Sequence, residues 1–175
     1  MFTEFEKQYR QSARTSMARS AISAPLQHLL KLDVLKGSIL NFGSGRADID
    51  DQALKALSSD FATYDFNWKP NIEVLRKSYD NVFCAYVVNV LEPEPRYQVY
   101  KALAEVTKRS GCCYIAARTD SSISGIEEFD GVRTSINTFQ RKYTPRTLAS
   151  ECREWFRDVN VIYKNGSFCL VACRH

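Results

Sequence analysis

Histidine, tryptophan and methionine each occur only twice in this 175-residue chain. His28 and the terminal His175 are its only imidazoles, and none of its six cysteines forms a Cys-x-x-Cys pair. A structural zinc site needs four Cys/His ligands at short paired spacings, so no metal is expected. Apolar runs such as "VFCAYVV" and "CLVAC" fall far short of the ~20 residues that cross a bilayer. The opening "MFTEFEKQYRQSARTSMARS" lacks the apolar stretch of a secretory leader. The expectation is a cytoplasmic protein with no membrane partner. Its cysteines fall in apolar, strand-like segments and read as buried, reduced thiols. A large charge excess is also missing: the net charge is +4, with 45% hydrophobic and 25% charged residues. Those proportions exclude disordered and fibrous classes.

What is present is an alternation of strands and helices. Residues 1–24 read as a polar, basic arm without clear periodicity, and residues 25–175 as one domain. In that domain, "APLQHLLKLDVL" has helical spacing, with Pro25 in its first turn and Gly37 beyond its end. "SILNF" reads as a buried strand, "IDDQALKALSS" as a helix, and "FATYDF" as a second strand. A short helix over "IEVLRK" precedes a third strand, "NVFCAYVV". "PEPRYQVYKALAEVTKRSG" is the clearest helix, expected to stop at Gly111, and "CCYIAAR" is a fourth strand. Residues Thr119 to Lys142 read as a long loop, of the kind that is often functional. "TPRTLASECREWF" is a last helix, and "VNVIYKNGSFCLVACR" a hairpin turning at Asn165-Gly166. This order predicts an α/β, Rossmann-like fold with a mostly parallel, doubly wound sheet ending in an antiparallel β-hairpin.

The informative motif is "SILNFGSGRAD", in which a strand runs through Gly43-Ser44-Gly45 into a helix. Glycines there allow a tight turn and close approach of backbone to a ligand at a helix N-terminus. Asp48 stands where a nicotinamide-type fingerprint needs its third glycine, and the Gly-Lys-Ser/Thr of a phosphate-binding P-loop is absent. Asp65 ends the second strand, where a carboxylate can accept from both ribose hydroxyls, or else close an Asx-turn in "YDFNWKPN". No Ser/His/Asp or Cys/His nucleophile constellation is visible.

"ILNFGSGRAD", "YDFNWKP" and "YDNVFCAYVVNVLEPEPR" together resemble the S-adenosylmethionine (SAM) sites of class I methyltransferases. More narrowly, "TSMARSAISAPL" and "DGVRTSINTFQRKYTP" resemble segments of the methyltransferases associated with DNA phosphorothioation. The resemblance spans roughly residues 13–175. It implies SAM as cofactor and S-adenosylhomocysteine (SAH) as product. It places Asn41, Gly43, Ser44, Gly45, Asp48, Asp65, Phe66, Asn67, Val88 and Asn89 around that cofactor, with Trp68 beside the adenine. Three departures stand out. Asn41 replaces a usual acidic residue, Ala47 replaces a glycine, and the short span from Asp65 to Asp80 leaves the sheet one strand short of the usual seven.

The sulfonium of SAM is already an activated electrophile, so the protein need supply only alignment and, for a protonated acceptor, a base. Tyr86, Asn89, Glu92 and Tyr143 are the candidate catalytic residues. Arg118, Thr138 and Gln140 are candidates for holding the acceptor. Tyr86 and Tyr143 also read as core aromatics, Glu92 as a solvated turn residue, and Arg118 as a salt-bridged strand end. Arg14 and Arg19 could reach either the cofactor carboxylate or the acceptor. Residues 133–157 are basic, and with the arm they form a possible nucleic-acid contact. The segment between Thr119 and Tyr143 is expected to act as a lid. The acceptor stays open, and so does an alternative: a degenerate SAM-fold module that binds nucleic acid or a protein.

Overall fold

Six strands hydrogen-bond into one sheet whose order, β2-β1-β3-β4-β9-β8, reverses direction beside β1. The computed structural model describes residues 4–16, 18–119 and 123–175. Parts of the expected arm (1–3 and 17) and of the expected lid (120–122) lie outside them. The parallel strands are β1 (Ile39–Phe42), β2 (Phe61–Tyr64), β3 (Tyr79–Ala85) and β4 (Thr107–Arg118). The antiparallel pair is β8 (Asp158–Lys164) and β9 (Phe168–Arg174), with β9 lying against β4. The helices are α1 (Glu4–Ser12), α2 (Ala24–Leu32), α3 (Ile49–Leu57), α4 (Pro93–Val106) and α5 (Pro145–Cys152). The expected Rossmann-like sheet with a terminal hairpin is therefore present. Between β2 and β3 lies only a short 3-10 turn, Ile72–Arg76, so no strand extends the sheet beyond β2.

Alternation along the strands builds two cores. Leu40, Val82, Cys84, Ile115 and Val171 face α4 and α5, packing on Leu103, Leu148 and Cys152. Ile39, Phe83, Tyr114, Ala116 and Leu170 face the other way, onto Leu26, Leu29 and Leu54 of α2 and α3. Period-two side chains on a strand make this division unavoidable, and both faces must be apolar because helices cover both. The six cysteines are buried free thiols within these layers.

Three local expectations differ from the structure. The polar arm, read as lacking periodicity, contains a helix, α1, which lies against α4. The helix expected to reach Gly111 stops at Val106, and Lys108 and Arg109 belong to β4. Gly111 serves close backbone contact: a Cβ there would lie 2.8 Å from the Asp80 carbonyl oxygen and 2.9 Å from that of Tyr79. The long loop contains a second, antiparallel sheet of β5 (Ile126–Glu128), β6 (Gly131–Arg133) and β7 (Phe139–Gln140).

That small sheet is tied down by charge. Arg96 of α4, with its side chain 5% exposed, pairs with Asp130 and lies 3.5 Å from Glu151. Arg141 reaches the same two carboxylates, and Arg133 pairs with Glu92 and Glu128. Backbone bonds add to this: Arg141 N donates to Asn89 O at 2.8 Å, and Tyr143 N to Arg118 O at 2.9 Å. Residues 140–143 thus run across the ends of both β3 and β4.

Candidate functional site

A cavity of about 780 Å³ opens where the chain leaves the carboxyl ends of β1, β2, β3 and β4. This is the point of strand reversal, where open α/β sheets bind their ligands. Its floor is the turn after β1. Gly43 has φ +72° and Gly45 φ +69°, values that side chains resist. A Cβ on Gly43 would lie 2.1 Å from Val87 Cγ2, so this glycine lets the first turn close against the turn after β3.

Asp65 joins that floor to the wall. Its Oδ2 accepts from Gly45 N at 2.8 Å, while Oδ1 accepts from Asn67 N at 2.9 Å and Trp68 N at 3.0 Å. The Asx-turn and the ribose-hook roles are therefore compatible. A carboxylate has about four acceptor sites, and three backbone donors leave capacity for a ligand hydroxyl. Phe66, Asn67 and Trp68 line the same wall.

Below the turn, Asn41 is buried and donates through Nδ2 to Asp51 Oδ1 at 2.6 Å. Asp51 also meets Lys69 Nζ at 2.6 Å, and Lys69 reaches Asp48 at 2.8 Å. Burial disfavours the Lys69 charge, but the bonds to Asp48 and Asp51 outweigh it and raise its pKa. Asn41 thus forms part of a charged clasp beneath the turn. An acid at 41 would set a second carboxylate against Asp51.

The arm supplies the roof. The Tyr9 ring stacks on Phe66 with centroids 4.7 Å apart, and Asn67 Nδ2 donates to Tyr9 O at 2.7 Å. Ser16 Oγ accepts from Arg46 N at 3.3 Å. Arg19 lies over the Tyr86 ring at 5.2 Å and contacts Asp50 at 3.5 Å. The polar composition of residues 4–19 concealed this role. Arg19 was the one arm residue of the lining that the sequence singled out, and the role of Tyr9 was missed.

Tyr86 holds φ +64°, a left-handed conformation uncommon for a bulky residue, and such strain concentrates at functional sites. Burial raises its phenol pKa against the lowering pull of Arg19 and Arg118, so at neutral pH the group is a protonated donor. Tyr86, Asn89, Arg118 and Gln140 all line the cavity. Asn89 is 1% exposed and Gln140 8%, and the oxygens Asn89 Oδ1 and Gln140 Oε1 have no partner among the described residues. Ser44 Oγ is likewise buried and unpaired.

Other candidates lie elsewhere. Glu92 is at the start of α4, outside the cavity lining, paired to Arg133 and accepting from Gln8. Tyr143 is a core aromatic, 2% exposed, donating to Glu151 Oε2 at 2.7 Å. Thr138 is buried against Thr134 at 2.8 Å, and Val88 is wholly buried in the core. Asp48 faces Lys69, and Arg14 is absent from the lining whereas Arg19 belongs to it. Among the described residues no cluster of three His, Cys, Asp or Glu could hold a metal ion, and no helix is long and apolar enough to cross a membrane.

No protein-family model matches the chain, and no curated protein matches it either. Solved structures do. A Burkholderia thailandensis 1,6-didemethyltoxoflavin-N1-methyltransferase, with its substrate and SAH bound, aligns with a TM-score of 0.61 at 12% identity, covering 97% of this chain and 78% of that one. DhpI in complex with SAH aligns at 0.56 and 14% identity, covering 86% and 82%. The glycopeptide N-methyltransferase MtfA complexed with SAM aligns at 0.51 and 10% identity, covering 90% and 96%. At these identities the likeness is one of fold.

Proposed function

We propose that this protein is a SAM-dependent methyltransferase, transferring a methyl group from SAM to an acceptor and releasing SAH. The observation that carries the reading is the Asp65–Gly45 bond, which fuses an acidic strand end to a left-handed glycine turn inside a ligand-sized cavity. A tight turn without a ligand would need neither the cavity nor the unpaired Ser44 Oγ that faces no protein donor. The fold neighbours crystallised with SAM or SAH support the same reading.

The residues present fit such a ligand. Gly43, Ser44 and Gly45 offer backbone and hydroxyl to the methionine portion. Asp65 has acceptor capacity for a ribose hydroxyl. Phe66, Asn67 and Trp68, roofed by Tyr9, offer apolar and amide surface to a purine. Arg19, held by Asp50 only at 3.5 Å, is suited to the methionine carboxylate. When bound, SAM supplies the activated methyl group, and the chain's task is to align the acceptor and exclude water. Nucleic-acid contact gains less support, because Arg133 and Arg141 are already engaged by Glu92, Glu128, Asp130 and Glu151. Calorimetric titration of SAM and SAH into the protein tests the assignment. Micromolar binding is the expected result, and absence of binding to both ligands sinks it.

A further inference from the structure

The two unpartnered amide oxygens at the cavity wall have a chemical consequence. Burying an oxygen acceptor without a donor is costly, so a pair of them on residues lining one cavity is a feature that a ligand should satisfy. Asn89 lies in the turn after β3, and Gln140 in β7 next to Arg141, whose amide donates to Asn89 O at 2.8 Å. The two side chains therefore come from neighbouring backbone, at the mouth between β3 and β4. That is the opposite side of the glycine turn from Asp65 and the aromatic wall.

Two acceptors call for a ligand group with two donors. An amino nitrogen bearing N–H bonds meets that need, whereas a hydroxyl has one proton and an ether or carbonyl none. The charge around it narrows the class. Arg19 and Arg118 act on the Tyr86 phenol from beside the same mouth, which disfavours a cationic ligand. A protonated amine has, in addition, no lone pair with which to attack.

The cavity also lacks the machinery for a hydroxyl or thiol acceptor. Among the described residues its lining contains no histidine, lysine, cysteine or glutamate. Its carboxylates are Asp50, which accepts from Ser23 N at 2.8 Å, and Asp65, which lies across the glycine turn and whose remaining acceptor capacity goes to the ribose. No group is free to remove a proton before attack. A neutral nitrogen needs no such step, because its lone pair is already available.

We infer that the methyl acceptor is an uncharged amino nitrogen on a small molecule, its N–H bonds held by Asn89 Oδ1 and Gln140 Oε1. The inference rests on the methyltransferase reading above. Held in this way, the nitrogen keeps its lone pair directed away from both oxygens. The N–CH3 bond forms as the methyl–sulfur bond breaks, the sulfur keeps the bonding pair as SAH departs, and the extra proton on nitrogen passes to solvent.

The test compares wild type with Asn89→Leu, Gln140→Met and Asn89→Asp, using SAM carrying a 13C-labelled methyl group. A protein-free bacterial small-molecule extract serves as the acceptor pool. The carbon shift of the transferred methyl distinguishes nitrogen, oxygen, sulfur and carbon attachment, whatever the acceptor. The expected result is N-methyl product with wild type, at least a 100-fold loss in Asn89→Leu and Gln140→Met, and substantial recovery in Asn89→Asp, which keeps oxygen acceptors. SAH affinity should stay within about threefold, and melting temperature should hold or rise, since an unpaired buried oxygen is removed. Label on oxygen, sulfur or carbon overturns the inference, as does no transfer by a wild-type protein that binds SAH. A tenfold loss of SAH affinity would assign the oxygens to the cofactor's ammonium instead, and a lower melting temperature in both apolar variants would make them structural. Wild-type protein that binds neither SAM nor SAH defeats the methyltransferase reading itself.

Discussion

The Asp65 carboxylate accepts the Gly45 amide at 2.8 Å, so one side chain sets both the end of β2 and the second glycine of the turn. Its other oxygen draws in the amides of Asn67 and Trp68. Hydrogen bonds to a charged acceptor contribute ~1.5–3 kcal/mol each. Asp65→Ala should therefore lower SAH affinity by roughly 10–100-fold, and Asp65→Asn by less, because one oxygen remains. Calorimetry on folded variants checks this, and equal affinity in all three proteins would remove Asp65 from the site.

Gly43 is held by sterics from two directions. Its φ of +72° resists a side chain, and the space a Cβ would need is filled by Val87 Cγ2 at 2.1 Å. Gly43→Ala should cost roughly 1–3 kcal/mol of stability and push the post-β3 turn away from the floor. The companion change Val87→Ala should recover part of that loss by making room. Thermal melts of the single and double variants measure the coupling, and strictly additive losses would contradict it.

The glycine turn, the acidic strand end and the missing strand were all legible in the sequence, because each is a local pattern of residue type and spacing. The mostly parallel sheet with its terminal hairpin followed from alternating strands and helices, though the order of its strands did not. What escaped notice was set by distant partners. Tyr9 covers Phe66, far off in the chain, and the single i, i+4 pair of Phe5 and Tyr9 within residues 4–12 is too short a pattern to announce that. The small sheet β5–β6–β7 has strands of two or three residues, too short for an alternation signal, and its order comes from Arg96, Arg133 and Arg141 meeting carboxylates. Tyr143 and Thr138 read plausibly as site residues because polar groups near a mouth look alike in sequence. Their place outside the cavity lining and their bonds to Glu151 and Thr134 set them apart from Asn89 and Gln140.

Stacking of Tyr9 on Phe66 makes α1 part of the binding wall. An aromatic pair contributes ~0.5–1.5 kcal/mol beyond its buried area. Tyr9→Ala should weaken SAH binding about threefold to tenfold, while Tyr9→Phe, which gives up the bond to Pro95 O at 3.2 Å and keeps the ring, should bind nearly as wild type. Equal loss in both variants would point to the hydroxyl and not to the stack.

Arg96 is the buried cation that fastens the small sheet to α4, and removing one partner from such a network strands the others. Arg96→Met leaves Asp130 and Glu151 facing each other with Arg141 alone between them. The expected cost is about 3–5 kcal/mol, a fall in melting temperature on the order of 10 °C. Loss of order should begin at residues 126–140, so hydrogen exchange there should accelerate before that of β3 and β4.

Asp80 gives the fold an acid sensitivity whose sign is fixed. The Ser38 amide at 2.9 Å, Lys108 Nζ at 2.9 Å and Ser38 Oγ at 2.7 Å stabilise its charged form and lower its pKa to about 2. A carboxyl depressed on folding adds stability that is fully present above its unfolded value of about 3.9 and is lost as pH falls through the folded value. Asp80→Asn should therefore be less stable than wild type near pH 6, with the gap closing between about pH 4 and pH 2. Because the group is partly exposed, salt should shrink the contribution from Lys108 and leave that of the Ser38 amide. Urea melts of both proteins across this range, at low and high salt, measure the gap. A constant gap down to pH 2 would show that the carboxylate's charge contributes nothing.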